Sequence, residues 1–115
     1  MNMHKDGKLD YLEFPAADVG TIKKFYGAAF GWTFQDYGPE YVAFSEGLDG
    51  GFNADLGADA ITAPLPVLYA TDLEALLARI EAAGGIVVRP IFAFPGGRRF
   101  HFRDPAGNEL AAWSE

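Results

Sequence analysis

Apolar residues recur at helical spacing in two stretches of the chain. In DVGTIKKFYGAAFG, residues 18–31, Val19, Ile22, Tyr26 and Ala29 fall on one face while Lys23 and Lys24 point away. Asp18 stands where a helix N-cap belongs. In TDLEALLARIEAAGG, residues 71–85, the stripe is Leu73, Leu76, Leu77, Ile80 and Ala83. Thr71 and Glu74 have capping-box spacing there, and Gly84 or Gly85 supplies the stop. A short alternating or apolar run precedes each helix, residues 11–14 and Leu65–Tyr69. Three strand-like stretches follow each: 32–37, 41–45 and 51–56 in the first half, and 86–93, 98–103 and 109–113 in the second.

The two halves repeat at a fixed distance. Asp18 and Asp72, Ile22 and Leu76, and Gly31 and Gly85 are each 54 residues apart. The order in both halves is βαβββ, so the pattern predicts one α+β domain over residues 1–115. It is made of two βαβββ modules at about 9–57 and 65–115, with helices covering one face of each sheet. GADAITAP, residues 57–64, reads as the linker. DPAGN, residues 104–108, is a tight turn between paired strands: Asp104 can bond the backbone, Pro105 fixes φ and Gly107 tolerates a positive φ.

Composition narrows the chemistry. At 115 residues, 50% hydrophobic and 15% aromatic, the chain can fill one core. It has no cysteine, so disulfides, thiolate metal sites and cysteine nucleophiles are excluded. Of its two histidines, His4 lies in a polar N-terminal tail and His101 is internal. The net charge of −7 opposes a nucleic-acid partner and an anionic membrane surface. The most apolar segment, residues 86–94, is short and broken by Arg89 and Pro90, and the N-terminus carries no basic and apolar leader pattern. These features predict a soluble, cytoplasmic protein.

YLEFPAAD, then FYGAAFGW, then LPVLYATD with a helix ending in AAGG, then FHFRDPAGN follow one another across nearly the whole chain. In that order and spacing they resemble the vicinal oxygen chelate superfamily, the glyoxalase, bleomycin resistance protein and extradiol dioxygenase group. The resemblance implies paired βαβββ modules whose curved mixed sheets enclose a cavity, commonly in homodimers. It also implies where a metal would bind: at a histidine seven residues before the Asp that opens each helix, at a glutamate four residues beyond the Gly of the last turn, and in a middle strand of the first module. Those places hold Tyr11, Leu65 and Ala111, and residues 41–45 offer neither His nor Glu, although Glu40 and Glu46 flank them. Leucine and alanine have no lone pairs to give, and a neutral tyrosine is a poor ligand. The expectation is a site with no metal and no cofactor.

Strand alternation places Tyr11 and Glu13 on one face and Leu12 and Phe14 on the other. With the resemblance fixing the faces, Arg99, His101, Leu65, Val67, Tyr69, Ala111 and Trp113 join Tyr11 and Glu13 toward the cavity. Glu13 is either a solvated or Arg99-paired strand carboxylate, or a ligand-contacting group able to act as general base. His101, between Phe100 and Phe102, is either a hydrogen-bonded packing residue, or a group that donates to a substrate carbonyl or pairs with Glu13 for proton abstraction next to a carbonyl. Tyr11, Tyr69 and Trp113 either fill core or stack on a planar ligand. Arg98 and Arg99, beside Gly96 and Gly97, either end a solvated hairpin or steer a small anion.

The leading reading is a metal-independent small-molecule-binding protein of the glyoxalase and bleomycin resistance type, taking an apolar or aromatic ligand. The alternative is an enzyme, a lyase or isomerase without the family's metal site, with Glu13 and His101 as catalytic acid and base and Tyr11, Tyr69, Arg99 and Trp113 binding the substrate. An interaction module is the third and least favoured reading.

Overall fold

The computed structural model describes residues 4–55 and 61–115. Leu56 and the first half of the 57–64 linker, residues 57–60, therefore lie outside the described residues. Among those described, the chain forms two helices and eight strands, an α+β arrangement. It divides into two compact units, residues 11–65 and residues 66–115 together with 1–10.

In the 11–65 unit, β1 (Leu9–Pro15) leads into α1 (Val19–Phe30), then β2 (Gln35–Asp36), β3 (Tyr41–Ser45) and β4 (Asp49–Asn53). The strand order is β2-β3-β4-β1, with β1 parallel to β4 and the other neighbours antiparallel. Asp18 caps α1 by accepting from Gly20 N at 3.0 Å, and Gly31 closes it at φ +73°. The core lies between α1 and the sheet: Val19, Val42, Phe44 and Phe52 are buried, with Phe14, Ile22, Tyr26 and Trp32 packed on them. Trp32, just past the helix, stacks on Tyr26 with centroids 4.8 Å apart and meets Phe44 at 5.0 Å, so it ties the helix end to the sheet.

The second unit repeats that order. β5 (Leu65–Tyr69), α2 (Leu73–Ala82), β6 (Ile86–Phe94), β7 (Gly97–Arg103) and β8 (Glu109–Ser114) are arranged β5-β8-β7-β6, with β5 parallel to β8. The core here is Ala70, Leu73, Phe100, Phe102 and Ala112 beneath α2. The preceding chain adds to this unit, since Gly7 N donates to Tyr69 O at 2.8 Å and Tyr69 N to Lys8 O at 3.1 Å.

One local expectation is corrected. The N-cap of α2 is Asp72, whose side chain accepts from Ala75 N at 3.0 Å, rather than Thr71 of the expected capping box. Thr71 instead donates its N–H and hydroxyl to Asp6 Oδ1 at 2.8 and 2.9 Å, and Glu74 holds Arg98. The 104–108 turn forms as expected: Asp104 Oδ1 accepts from Ala106 N and Asn108 N, each at 2.9 Å, and Gly107 takes φ +90°. This turn sets the register of β7 on β8.

Candidate functional site

Each unit turns one sheet face to its helix and leaves the other for polar chemistry. In the 11–65 unit, Leu12, Phe14, Val42, Phe44 and Phe52 serve the helix side. Register puts Glu13 and Ala43 opposite Gly51 on the other face, with Tyr41 opposite Asn53. On that face the Tyr11 and Tyr41 hydroxyls are 2.6 Å apart, and the Tyr41 hydroxyl donates to Glu13 Oε1 at 3.1 Å. A hydroxyl has one proton to give, so Tyr41 spends its own on Glu13 and receives that of Tyr11. Protons thus point from Tyr11 through Tyr41 to the carboxylate. Glu13 is only 2% exposed.

Gly51 makes room for this chain: a Cβ at that position would run into the hydroxyls of both Tyr11 and Tyr41. Burial, reinforced by the Glu13 charge, raises the ionisation of both phenols. Tyr11 is pushed up to about 12, its rise moderated by the bond to Tyr41, and Tyr41 is pushed higher still. Both are phenols, not phenolates, at neutral pH.

In the second unit two rows of residues cross the face opposite α2. One runs Tyr69, Trp113, Arg99, Phe92, and the next runs Val67, Ala111, His101, Arg89. Irregular register around Arg89 lets both Arg89 and Phe92 join this face. The Arg89 guanidinium lies 3.6 Å over the Phe92 ring, and that of Arg99 is 5.5 Å from it. Arg98 points the other way and is held by Glu74 at 2.6 and 3.1 Å, which raises the arginine's pKa and lowers the carboxyl's. The anion-steering role open to Arg98 is thus met within the chain, in an exposed ion pair.

His101 is 1% exposed, and its Nδ1 lies 2.9 Å from Glu109 Oε2. Burial holds its pKa below the ordinary value. The Glu109 bond works against that shift, and the Arg99 and Arg89 charges add to it. The ring is therefore neutral at neutral pH. Since a carboxylate can only accept, Nδ1 carries the proton and Nε2 keeps its lone pair. That Nε2 is buried and has no hydrogen-bond partner among the described residues.

At the end of the same face, Tyr69 and Trp113 meet edge to face at 5.2 Å. The Tyr69 hydroxyl donates to Glu115 Oε1 at 3.1 Å and the Trp113 indole N–H to Asp10 Oδ2 at 3.0 Å. His4 is not a loose tail residue: its ring stacks on Tyr69 at 4.8 Å and its Nδ1 sits 2.7 Å from Asp10 Oδ1.

Of the residues singled out in the sequence, Tyr11 and Glu13 are joined through Tyr41, and Tyr69, Arg99, His101 and Trp113 share one sheet face. Glu13 and His101 belong to different units. Tyr41, Glu109, Asp10 and His4 were not anticipated. Tyr41 lies two residues out of register from Glu13 across β4, and Glu109 two from His101 across β7–β8, so only strand pairing could have revealed either.

The positions at which relatives would bind a metal do not fit one here. Leu65 and Ala111 are hydrocarbon, 1% and 0% exposed. Tyr11 is a protonated phenol bonded to Tyr41, and Glu46, beside β3, accepts from Thr33 N at 3.1 Å. Among the described residues no three His, Cys, Asp or Glu side chains gather as a metal centre requires. No helix among them is long and apolar enough to cross a membrane.

Comparison with known proteins identifies the family and the fold. The family model for the Glyoxalase/Bleomycin resistance protein/Dioxygenase superfamily matches residues 8–112. The anthracycline biosynthesis protein DnrV of Streptomyces peucetius is 31% identical over 136 residues, covering 98% of this chain and 49% of its own. DauV of Streptomyces sp. (strain C5), also named an anthracycline biosynthesis protein, is 30% identical with the same coverage. The chain spans about half the length of the curated relatives it matches. A glyoxalase/bleomycin resistance protein/dioxygenase superfamily member from Vibrio splendidus 12B01 shares the fold, with a TM-score of 0.69 at 16% identity over 94% of this chain and 100% of that one. From its duplicated βαβββ order and the match along nearly its full length, the chain belongs to the glyoxalase/bleomycin resistance protein/dioxygenase superfamily.

Proposed function

We propose that this chain is a metal-independent small-molecule-binding protein of the glyoxalase and bleomycin resistance type, and that it takes planar, largely apolar molecules on the face carrying His101. The observation that carries this reading is the buried His101 Nε2 without a partner among the described residues. A buried acceptor left unmet costs about 1–3 kcal/mol, and a ligand that donates to it recovers that cost. Phe92, 5.9 Å from the imidazole, and Trp113 in the next row supply aromatic surface beside it. The absence of metal-binding side chains at Leu65 and Ala111 supports binding without a cation.

A thermal-shift panel of planar aromatic and amphiphilic compounds tests the reading. A polycyclic aromatic belongs in it, because the Streptomyces relatives are named for anthracycline biosynthesis. Saturation at about 100 times Kd adds about 2.7 kcal/mol of stability. No shift with any compound, or a tightly held divalent ion in the purified protein, sinks the proposal. Phe25 and Phe30, exposed on α1, support a homodimer, which light scattering checks directly.

A second reading is a lyase or isomerase acting on a carbonyl substrate. The His101–Glu109 pair favours it: it presents a neutral, oriented imidazole whose free lone pair can accept a proton. Glu13, fed by the two phenols, would be the second acid–base group. Glu13→Gln and His101→Ala abolish turnover on this reading, whereas unchanged turnover in both variants removes it.

A further inference from the structure

The His4 imidazole sits in a recess whose parts do not depend on it. Its ring is stacked on Tyr69 at 4.8 Å and 17°, and stands perpendicular to Trp113 at 4.9 Å and 87°. Its Nδ1 is 2.7 Å from Asp10 Oδ1, and the His4 and Asp10 side chains are 16% and 12% exposed. The other carboxylate oxygen accepts the Trp113 indole N–H at 3.0 Å, so Asp10 is oriented with or without His4. Tyr69 is held likewise, by its hydroxyl bond to Glu115 and by pairing with Trp113 across β5–β8. Aromatic floor, aromatic wall and a preset acceptor remain if the imidazole leaves.

What holds His4 is its side chain, through the ring contacts to Tyr69 and Trp113 and the bond to Asp10. The chain is anchored from Asp6 onward, where Asp6 accepts twice from Thr71 and Gly7 donates to Tyr69 O. His4 lies two residues beyond that anchor, on no strand or helix. Its ring can swing out without costing the sheet one hydrogen bond.

We propose that this recess is a subsite for a planar heteroaromatic ring bearing an N–H, an azole or a fused azole, and that His4 is its intramolecular occupant. The inference rests on the reading of this sheet face as a ligand surface and names the chemistry that surface selects. Stacking on Tyr69 requires a flat ring, and Asp10, which can only accept while ionised, requires a donor in the plane of that ring. A flat hydrocarbon satisfies the first condition and gives Asp10 Oδ1 no donor in place of His4; an azole satisfies both.

The test uses the full chain and its His4→Ala variant, titrated with imidazole and then benzimidazole, and follows the Trp113 indole N–H resonance. In His4→Ala, imidazole moves that resonance saturably and raises the thermal midpoint, and adding Asp10→Asn weakens the binding about tenfold through loss of a charge-assisted bond. In the unsubstituted protein, benzimidazole moves both the Trp113 indole signal and the His4 ring signals as the bound ring displaces His4. If folded His4→Ala takes no imidazole, or Asp10→Asn leaves the affinity unchanged, the subsite is wrong. If the unsubstituted protein takes no azole, His4 is a packing residue and nothing more; this arm holds even where His4→Ala does not fold. Binding of flat compounds that lack an N–H, with the azoles inert, overturns this inference and leaves the ligand surface standing. Binding of nothing overturns both.

Discussion

The Nδ1 of His101 and Oε2 of Glu109 are 2.9 Å apart although the two residues do not face each other in the sheet: His101 is opposite Ala111 and Glu109 opposite Arg103. The contact is a diagonal across β7–β8, within reach of a long carboxylate. It joins an imidazole 1% exposed to a side chain 37% exposed, so the water-facing partner fixes the tautomer of the buried one. This diagonal gives His101 its chemistry, a neutral ring with its lone pair on Nε2.

The same burial makes stability depend on pH. The folded-state pKa of His101 is below its ordinary 6.5, so between those two values the unfolded chain binds more protons than the folded one. The stabilisation is complete above 6.5 and is lost as the pH falls toward the folded-state value. Urea denaturation at steps from pH 8 to pH 5 is expected to show unfolding free energy falling on acidification, with the slope reduced in His101→Gln. An unchanged slope in that variant means that other groups carry the dependence.

The tyrosine chain predicts an order of effects. Tyr41→Phe removes the donor to Glu13 and the acceptor for Tyr11 together, leaving two buried groups each short of a bond, at about 1–3 kcal/mol. Tyr11→Phe leaves the Tyr41 bond to Glu13 in place and costs less. Equal costs in equilibrium unfolding contradict the proton order read from the geometry.

Gly51→Ala tests the same face from below. The added methyl runs into the hydroxyls of Tyr11 and Tyr41 and must displace both, an overpacking cost of about 1–3 kcal/mol. Ultraviolet titration gives the sharper readout. In the unsubstituted protein Tyr11 ionises only near 12 and Tyr41 later, and in Gly51→Ala, with the pair pushed apart, the Tyr11 transition moves higher still, because the bond to Tyr41 that moderates its rise is lost.

How much of this was legible in the sequence follows from what kind of pattern each feature leaves. The helices and their offset of 54 residues show because a 3.6-residue period is local, and Asp18 because its cap bond spans two residues. Parity put Tyr11 with Glu13 and Arg99 with His101, and the family resemblance fixed which face His101 and Arg99 take; the strand register reproduces the pairings. Tyr41, Glu109 and Asp10 were invisible because their partners lie 28, 8 and 103 residues away and are brought to them only by strand register. His4 was misjudged for a related reason. Polar neighbours such as Lys5 and Asp6 mark a tail, and nothing in their composition says that Tyr69 will offer the ring a stacking partner.

Asp72 and Thr71 separate two explanations of how α2 begins. As the cap, Asp72 satisfies Ala75 N, one of the four N–H groups that no turn of the helix can reach, so Asp72→Ala is expected to cost about 1 kcal/mol and to raise amide exchange through the first turn. Thr71 spends both its donors on Asp6, so Thr71→Ala leaves exchange in α2 unchanged and instead speeds exchange at Gly7, whose N–H bond to Tyr69 O sits next to that anchor. A capping box at Thr71 requires the reverse pattern. Loss of protection in α2 on Thr71→Ala, with Asp72→Ala silent, restores the box that the sequence suggested and removes the helix-start equivalence between Asp18 and Asp72.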